Sequence, residues 1–268
     1  MRIVVCAKEV LDPDAVNNYA LAGRLEIGDD GKSLTQTTIP RLMNGFDEQA
    51  LEAALRLRDA GAECRIGVVS VGSDSTALLK HAAALGADEI TAVPMDDAAP
   101  DYHVVASLLA AWIRCSGDAD LVLCGRQASD DDQGVVPALI GETLGMPLVT
   151  NARAVERVDG NGFRVTRVTP DGDEVVEVAA PAVVTVSNEL GEPRYPTAKN
   201  KIAARRMKPE VADPASLGLS AEDLQPRVLA RRQFVPTVQG NCEFLAGETA
   251  AELADALVAR LRQDSLIP

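Results

Sequence analysis

Along the first 150 residues the apolar positions fall into two alternating rhythms. Short continuous runs, RIVVCAK (2–8), CRIGVVSVG (64–72), EITAVP (89–94) and ADLVLCG (119–125), read as strands buried on both faces. Between them the spacing is helical. In FDEQALEAALRLRDAGAE, residues Ala50, Leu51, Ala54, Leu55 and Leu57 form an apolar face and Gly61 a stop. SDSTALLKHAAALGA opens on Ser and Asp caps and closes at Gly86. DYHVVASLLAAWIRCSG and VVPALIGETLG complete the helical set. Repeated strand–helix–strand units predict an α/β fold: a mostly parallel sheet, helices on both faces and right-handed crossovers.

Elsewhere the rhythm breaks. Residues 9–40 hold LDPDAV and then GRLEIGDDGKSLTQTTIP, which predicts a hairpin turning at Asp30-Gly31. From 150 to 180 polar and apolar residues alternate around two turn signals, DGNG and TPDGDE, predicting an antiparallel meander at the sheet edge. PAVVTVSN (181–188) returns to a buried strand, and GEPRYPTAKNKIAARRMKPE reads as a loop running into a basic segment. Residues 209–240, punctuated by Pro and Gly, read as an extended arm, and GETAAELADALVARLRQD (247–264) as a terminal amphipathic helix. The expected organisation is therefore a domain over 1–208 and a C-terminal arm and helix over 209–268.

Composition narrows the function. Only one Trp, three Tyr and four Phe are present, so Ala, Val and Leu must fill the core. A net charge of −14 sets nucleic acid aside as a partner, because phosphate binding needs a positive face. Five cysteines without framework spacing read as reduced thiols in a cytoplasmic chain. MRIVVCAKEV is too short and too soon charged for a signal peptide, and no run of about 18 apolar residues predicts a membrane span.

The chemistry concentrates in CGRQASDDDQG (124–134) at the end of the fourth strand. No His and no Cys pair accompany its three aspartates, so no metal site is expected. Neighbours in an extended segment also point to opposite sides, so three in a row seldom converge on a metal, and three adjacent, wet aspartates lack the defined gap and perturbed pKa of a catalytic carboxylate pair. The acids stabilise the start of the following helix. Gly125 permits close backbone approach and Arg126 pairs with phosphate, so a nucleotide loop remains open. Other strand ends carry Cys6-Ala7-Lys8, Asn44-Gly45-Phe46-Asp47 and Val71-Gly72-Ser73-Asp74, where open α/β sheets collect ligands. SVGSDSTALL looks like the pyrophosphatase loop of ATP-dependent amidating and thiolating enzymes, with Val71 standing where they place a glycine; an ordinary helix cap is the alternative. His81 and His103 lie inside helices and read as structural or solvated.

Taken together, VVCAKEVLDP, MNGFDEQALEAALRL, VVSVGSDS, DLVLCGRQASDDDQG and PAVVTVSNELGEPRYPTAKNKIAARR resemble the β subunits of electron transfer flavoproteins, strongly over about 1–210. The resemblance implies a nucleotide-binding sheet and a heterodimer with an α subunit that holds the redox FAD and is wrapped by the C-terminal arm. It implies a buried AMP in this chain, or a second FAD in electron-bifurcating members that react with NADH. Nucleotide contacts would come from Cys6, Ala7, Asn44, Gly45, Phe46, Asp47 and Val71. They continue through Gly125, Arg126, Gln127, Ala128, Ser129, Asp130, Asp131, Asp132, Gln133, Gly134, Val135 and Val136. A loop from about 188 to 206 would dock on flavoprotein dehydrogenases of the acyl-CoA type, through Glu192, Pro193, Arg194, Tyr195, Ala198 and Lys199. The chain departs from ordinary members in having Asp47 where they carry Cys, and Ala198 where a Leu anchor is common. Asp131 stands where bifurcating members tend to have Gly, which favours AMP.

Overall fold

The computed structural model describes residues 1–35, 37–95, 101–117, 119–235 and 242–268. Four buried apolar runs form the expected parallel strands: β1 (Arg2–Cys6), β4 (Arg65–Gly72), β5 (Glu89–Pro94) and β6 (Leu121–Gly125). Each is followed by a helix of matching apolar face: α2 (Gly45–Asp59), α3 (Thr76–Leu85), α4 (Tyr102–Cys115) and α5 (Val136–Leu144). The meander is β7 (Leu148–Val158), β8 (Gly162–Thr169) and β9 (Gly172–Ala179), and the chain re-enters the sheet as β10 (Ala182–Val186).

Among the described residues, nine strands make one sheet in the order β11-β5-β4-β1-β6-β10-β7-β8-β9, where β11 is Glu210–Val211. Pairing is parallel from β11 to β7 and antiparallel across β7, β8 and β9. The chain builds outward from β1 through β4 to β5, then returns to place β6 on the other side of β1. That reversal puts the topological switch point at the carboxyl ends of β1 and β6, where in-register Cys6 and Cys124 lie side by side.

Two apolar cores cover the sheet. Ile3, Leu51, Leu55, Leu79 and Phe163 belong to one, beneath α2 and α3. Val4, Val104, Leu108, Val122 and Ile140 belong to the other, beneath α4 and α5. This division follows from the pleat: successive residues of β1 feed opposite faces.

Residues 9–40 depart from the expected hairpin. Glu9–Leu11 (β2) pairs instead with Arg41–Met43 (β3) in a separate two-stranded sheet, and Pro13–Leu21 is a helix, α1. The Asp12-Pro13 start explains α1: the Asp12 carboxylate accepts from the Asp14 amide, and Pro13 tolerates the first helical position. The turn at Asp30-Gly31 is present, with Gly31 at φ +63°, but its flanks pair only through the single bridge Ile27–Leu34. Too few apolar residues flank the turn to extend a ladder; Gln36 lies outside the described residues.

The basic run expected as part of a loop is helical: α6 (Ala198–Arg206) is capped by the Thr197 hydroxyl, which accepts from the Asn200 amide. The last helix is α7 (Ala250–Gln263). The chain forms two compact units, Met1–Gln233 and Phe234–Pro268. Residues 209–233 belong to the first: β11 extends the sheet, Leu217 joins the α4 core, and Asp101 accepts from the Arg227 and Val228 amides. Of the arm expected over 209–240, residues 236–240 lie outside the described residues.

Phe163 is 1% exposed and holds the meander to the α2 core. Phe163→Ala should lower unfolding free energy by about 3–5 kcal/mol, measured by urea denaturation followed by circular dichroism.

Candidate functional site

The loop after β6 is built around a carboxylate of α2. Asp47 Oδ2 accepts from the Lys8 amide at 2.8 Å, and Oδ1 from the Gly125 amide at 2.9 Å. One buried side chain thus ties the exits of β1 and β6 together. Hydrogen bonds to an ionised acceptor contribute about 1.5–3 kcal/mol each. Burial nevertheless dominates the titration, pushing Asp47 up from 3.8 to about 6 against the pull of the two amides.

Asn44 stands at the N-cap of α2 but makes no side-chain cap. Its side chain crosses instead to the loop: Nδ2 donates to the Gln127 carbonyl at 2.8 Å, and Oδ1 accepts from the Ser129 amide at 3.2 Å. The close approach expected at Gly125 is therefore made by α2. A Cβ there would stand 2.5 Å from Asp47 Oδ1 and 2.6 Å from Phe46 Cβ, so only glycine fits.

The three aspartates do not splay as an extended segment requires. The loop is a turn, with Asp132 at φ +52° and Gly134 at φ +61°. Asp130 and Asp131 both converge on Lys8 Nζ, at 2.7 and 3.1 Å. Asp132 Oδ1 instead accepts from Gln127 Nε2 at 2.7 Å, and the Gln133 amide donates to Asp131 Oδ1 at 3.2 Å. Burial pulls the Lys8 ammonium down, but the two carboxylates outweigh it and raise the group above its ordinary value. Lys8, named above only among strand ends, is thus the counter-ion of the loop. A single Lys closing an apolar strand in an acidic chain was its signal.

Arg126 lays its guanidinium over the Phe46 ring, 5.2 Å from the centroid. Its Nε is buried and has no hydrogen-bond partner, an open donor at the base of the loop. Cys6 and Ala7 are buried at the end of β1, and Val135 and Val136 lead into α5. Hydrogen bonds thus join residues 8, 44, 47 and 125–133, whereas Val71 is the next-to-last residue of β4, on the other side of β1 from the loop. In SVGSDS, Asp74 Oδ1 accepts from the Thr76 amide, a local turn before α3. Cys124 is held well above its ordinary value by its hydrogen bond with Cys6 and by burial, which keeps it a thiol. His81 Nε2 pairs with Glu48 Oε1 at 2.5 Å between α3 and α2.

Among the described residues no group of three or more His, Cys, Asp or Glu is placed to hold a metal ion, and no helix is long and apolar enough to cross a membrane. A hollow of about 560 Å³ lies at the far end of α2, between Leu57–Ala62 and Val155–Gly160, away from this loop.

The segment after β10 begins with a short 3-10 turn, Asn188–Leu190. Glu192, Tyr195, Ala198 and Lys199 are exposed, Tyr195 at 88%; Pro193 is half-buried, and Arg194 turns inward onto α2.

A protein-family model described as the electron transfer flavoprotein domain matches residues 33–217. The chain belongs to the electron transfer flavoprotein family. Relatives identify it as a β subunit. The electron transfer flavoprotein subunit beta of Megasphaera elsdenii is 31% identical over 285 residues, covering the whole of both chains. That of Bradyrhizobium diazoefficiens is 30% identical over 266 residues, covering 99% of each. The chain is also 32% identical over 275 residues, again the whole of both, to the caffeyl-CoA reductase-Etf complex subunit CarD of Acetobacterium woodii. In this β subunit, then, the loop that the family resemblance picked out is the one gathered at the switch point.

Asp47 makes that gathering pH-dependent. Its carboxyl titrates near 3.8 unfolded and near 6 folded, so the folded chain binds the proton more tightly. Stability should fall as pH rises from about 4 to 6, by an amount on the order of 3 kcal/mol, and stay level above. Asp47→Asn should remove this part of the slope, read from urea midpoints of both proteins between pH 4 and 7.

Proposed function

We propose that this β subunit carries electrons, with an α subunit, between flavoprotein dehydrogenases of the acyl-CoA type and a downstream acceptor, and holds an AMP at the loop after β6. The observation that carries this reading is the junction of Lys8, Asn44, Asp47 and the 125–134 loop at the switch point. The residues fit an adenine nucleotide. Arg126 offers an unpartnered buried donor, Lys8 a cation, and the loop a polar rim open to solvent. Residues 1–208 are the nucleotide-binding part, with 209–233 packed on it, and the arm and helix that follow wrap the α subunit.

A flavin held mainly by the α subunit supplies the redox chemistry. The contribution of this chain is position and charge. Asp47 keeps the two loops at fixed separation, Arg126 and Phe46 form a stacked floor, and Lys8 offsets the loop carboxylates. Within the loop, Asp130, Asp131 and Asp132 outnumber Lys8 and Arg126, so one phosphate is accommodated better than two. The name of the CarD relative supports a partner that acts on a CoA thioester.

A second reading, an electron-bifurcating β subunit with a second FAD in place of AMP, is favoured by one observation. Lys8 lies 3.1 Å from Asp131 and offsets the charge that would repel a diphosphate.

Two measurements follow. The heterodimer, co-expressed and denatured, should release one FAD and one AMP; two FAD and no AMP would replace the first reading with the second. Ala198 is exposed at the start of α6. Ala198→Leu should lower the KM for electron transfer from a conventional acyl-CoA dehydrogenase, by about threefold if some 30 Å² of added apolar surface is buried. An unchanged KM would count against docking at this position.

A further inference from the structure

Helix α2 carries a polar stripe that its core face does not need. Gln49, Glu52, Arg56 and Asp59 recur at spacings of three and four residues, so they line one side of the helix. Each of them binds the segment that follows β10. Gln49 Nε2 donates to the Gly191 carbonyl at 3.4 Å. Arg56 Nη1 donates to the Leu190 carbonyl at 2.7 Å, and Nη2 to that of Glu192 at 3.3 Å. Glu52 accepts from Arg194 Nε at 2.7 Å, Nη2 at 3.2 Å and the Arg194 amide at 3.2 Å, and from Arg56 Nε at 2.9 Å. Asp59 Oδ2 takes Arg194 Nη2 from the other side at 2.7 Å.

Burial separates the roles. The Glu52 side chain is 6% exposed, out of reach of any partner, whereas Arg194 is 35% exposed. Burial pushes the Glu52 carboxyl up, but the hydrogen bonds from Arg194 and Arg56 outweigh it and hold the group below its ordinary value. Immediately after Arg194 the chain turns outward, with Tyr195 88% and Ile202 57% exposed on either side of the α6 start.

We propose that Glu52 is the positioning residue of the docking segment: it clamps Arg194 and Arg56 so that Tyr195 and the start of α6 are presented as one rigid surface. Arg194 then acts through Glu52, not by touching the partner. The inference rests on reading residues 188–206 as the docking segment. The planar guanidinium fork donates to both Glu52 oxygens and to Asp59 at once, a geometry a lysine cannot reproduce. Removing Arg194 alone leaves a buried carboxylate with fewer donors, so the two residues must behave as a unit.

The test uses the heterodimer with an acyl-CoA dehydrogenase as electron donor. Hydrogen exchange of amides 190–197, KM, kcat and bound nucleotide are measured for Glu52→Gln, Arg194→Lys, the double variant and Tyr195→Ala. Glu52→Gln and Arg194→Lys should each speed exchange and raise KM by about tenfold, with kcat and nucleotide content unchanged, and the double variant should be no worse than either alone. Unchanged exchange in Glu52→Gln overturns the proposal. Effects on KM that multiply in the double variant give Arg194 its own contact and also overturn it. If Tyr195→Ala raises KM while Glu52→Gln does not, docking stands and the positioning role falls. If Tyr195→Ala leaves KM unchanged, the docking reading fails, and the proposal fails with it.

Discussion

The Asp47 carboxylate is the contact on which the geometry of the switch point depends. Its two oxygens each accept one backbone amide, and those amides belong to chain segments 117 residues apart, Lys8 and Gly125. Parallel strands leave the sheet without pairing their exits, so nothing in the ladder itself fixes how the loops after β1 and β6 meet. A side chain from the helix packed beneath both must do it. The fit is tight enough to exclude any Cβ at Gly125. It also requires a buried carboxylate, which raises the Asp47 proton affinity. A neutral acceptor would avoid that burial cost, but no other short side chain offers two equivalent oxygens to two separate donors.

The same helix extends its influence along its length. Its N-terminal residues close the loop after β6, its apolar face fills the core, and its polar stripe holds the segment after β10. One rigid element therefore sets the loop and the segment in a common frame. A shift of α2 would move both, because short, partly or fully buried hydrogen bonds hold each end: those of Asn44 and Asp47 to the loop, and those of Arg56 to Leu190 and Glu52 to Arg194.

Charge is distributed with the same economy. The chain has a net charge of −14, yet cations stand where carboxylates crowd: Lys8 against Asp130 and Asp131, Arg194 between Glu52 and Asp59. On the meander Arg153, Arg164 and Arg167 pair with Asp173, Glu177 and Glu174, which keeps its exposed ladder soluble without adding net charge. The basic helix α6 is the exception: its cations have no such partners in the sequence beside them, so its face is the most positive stretch of an acidic chain.

Much of the fold was legible because burial on both faces forces continuous apolar runs. Thus β1, β4, β5, β6 and β10, the helices α2 to α5 and the meander all follow from local pattern, as does the loop at 124–134 once its motif is recognised. Residues 9–40 were misread because Asp30-Gly31 is a strong turn signal, while β2 and β3 find each other only across 30 residues, a pairing with no local signature. Helix α6 was missed because its run is charged and its single buried residue, Ala204, gives almost no periodicity. The partners of Asp47, Lys8 and Glu52 were out of reach for another reason. Each is a polar group satisfied across a long sequence separation, and a sequence shows that such a group is present without showing which donor it meets. The residue types at the site were determined by the sequence alone. That Asp47 gathers two loops, that Lys8 serves two aspartates and that Glu52 clamps the segment after β10 was decided by the sheet order, which brings the exits of β1 and β6 together and lays α2 beneath both.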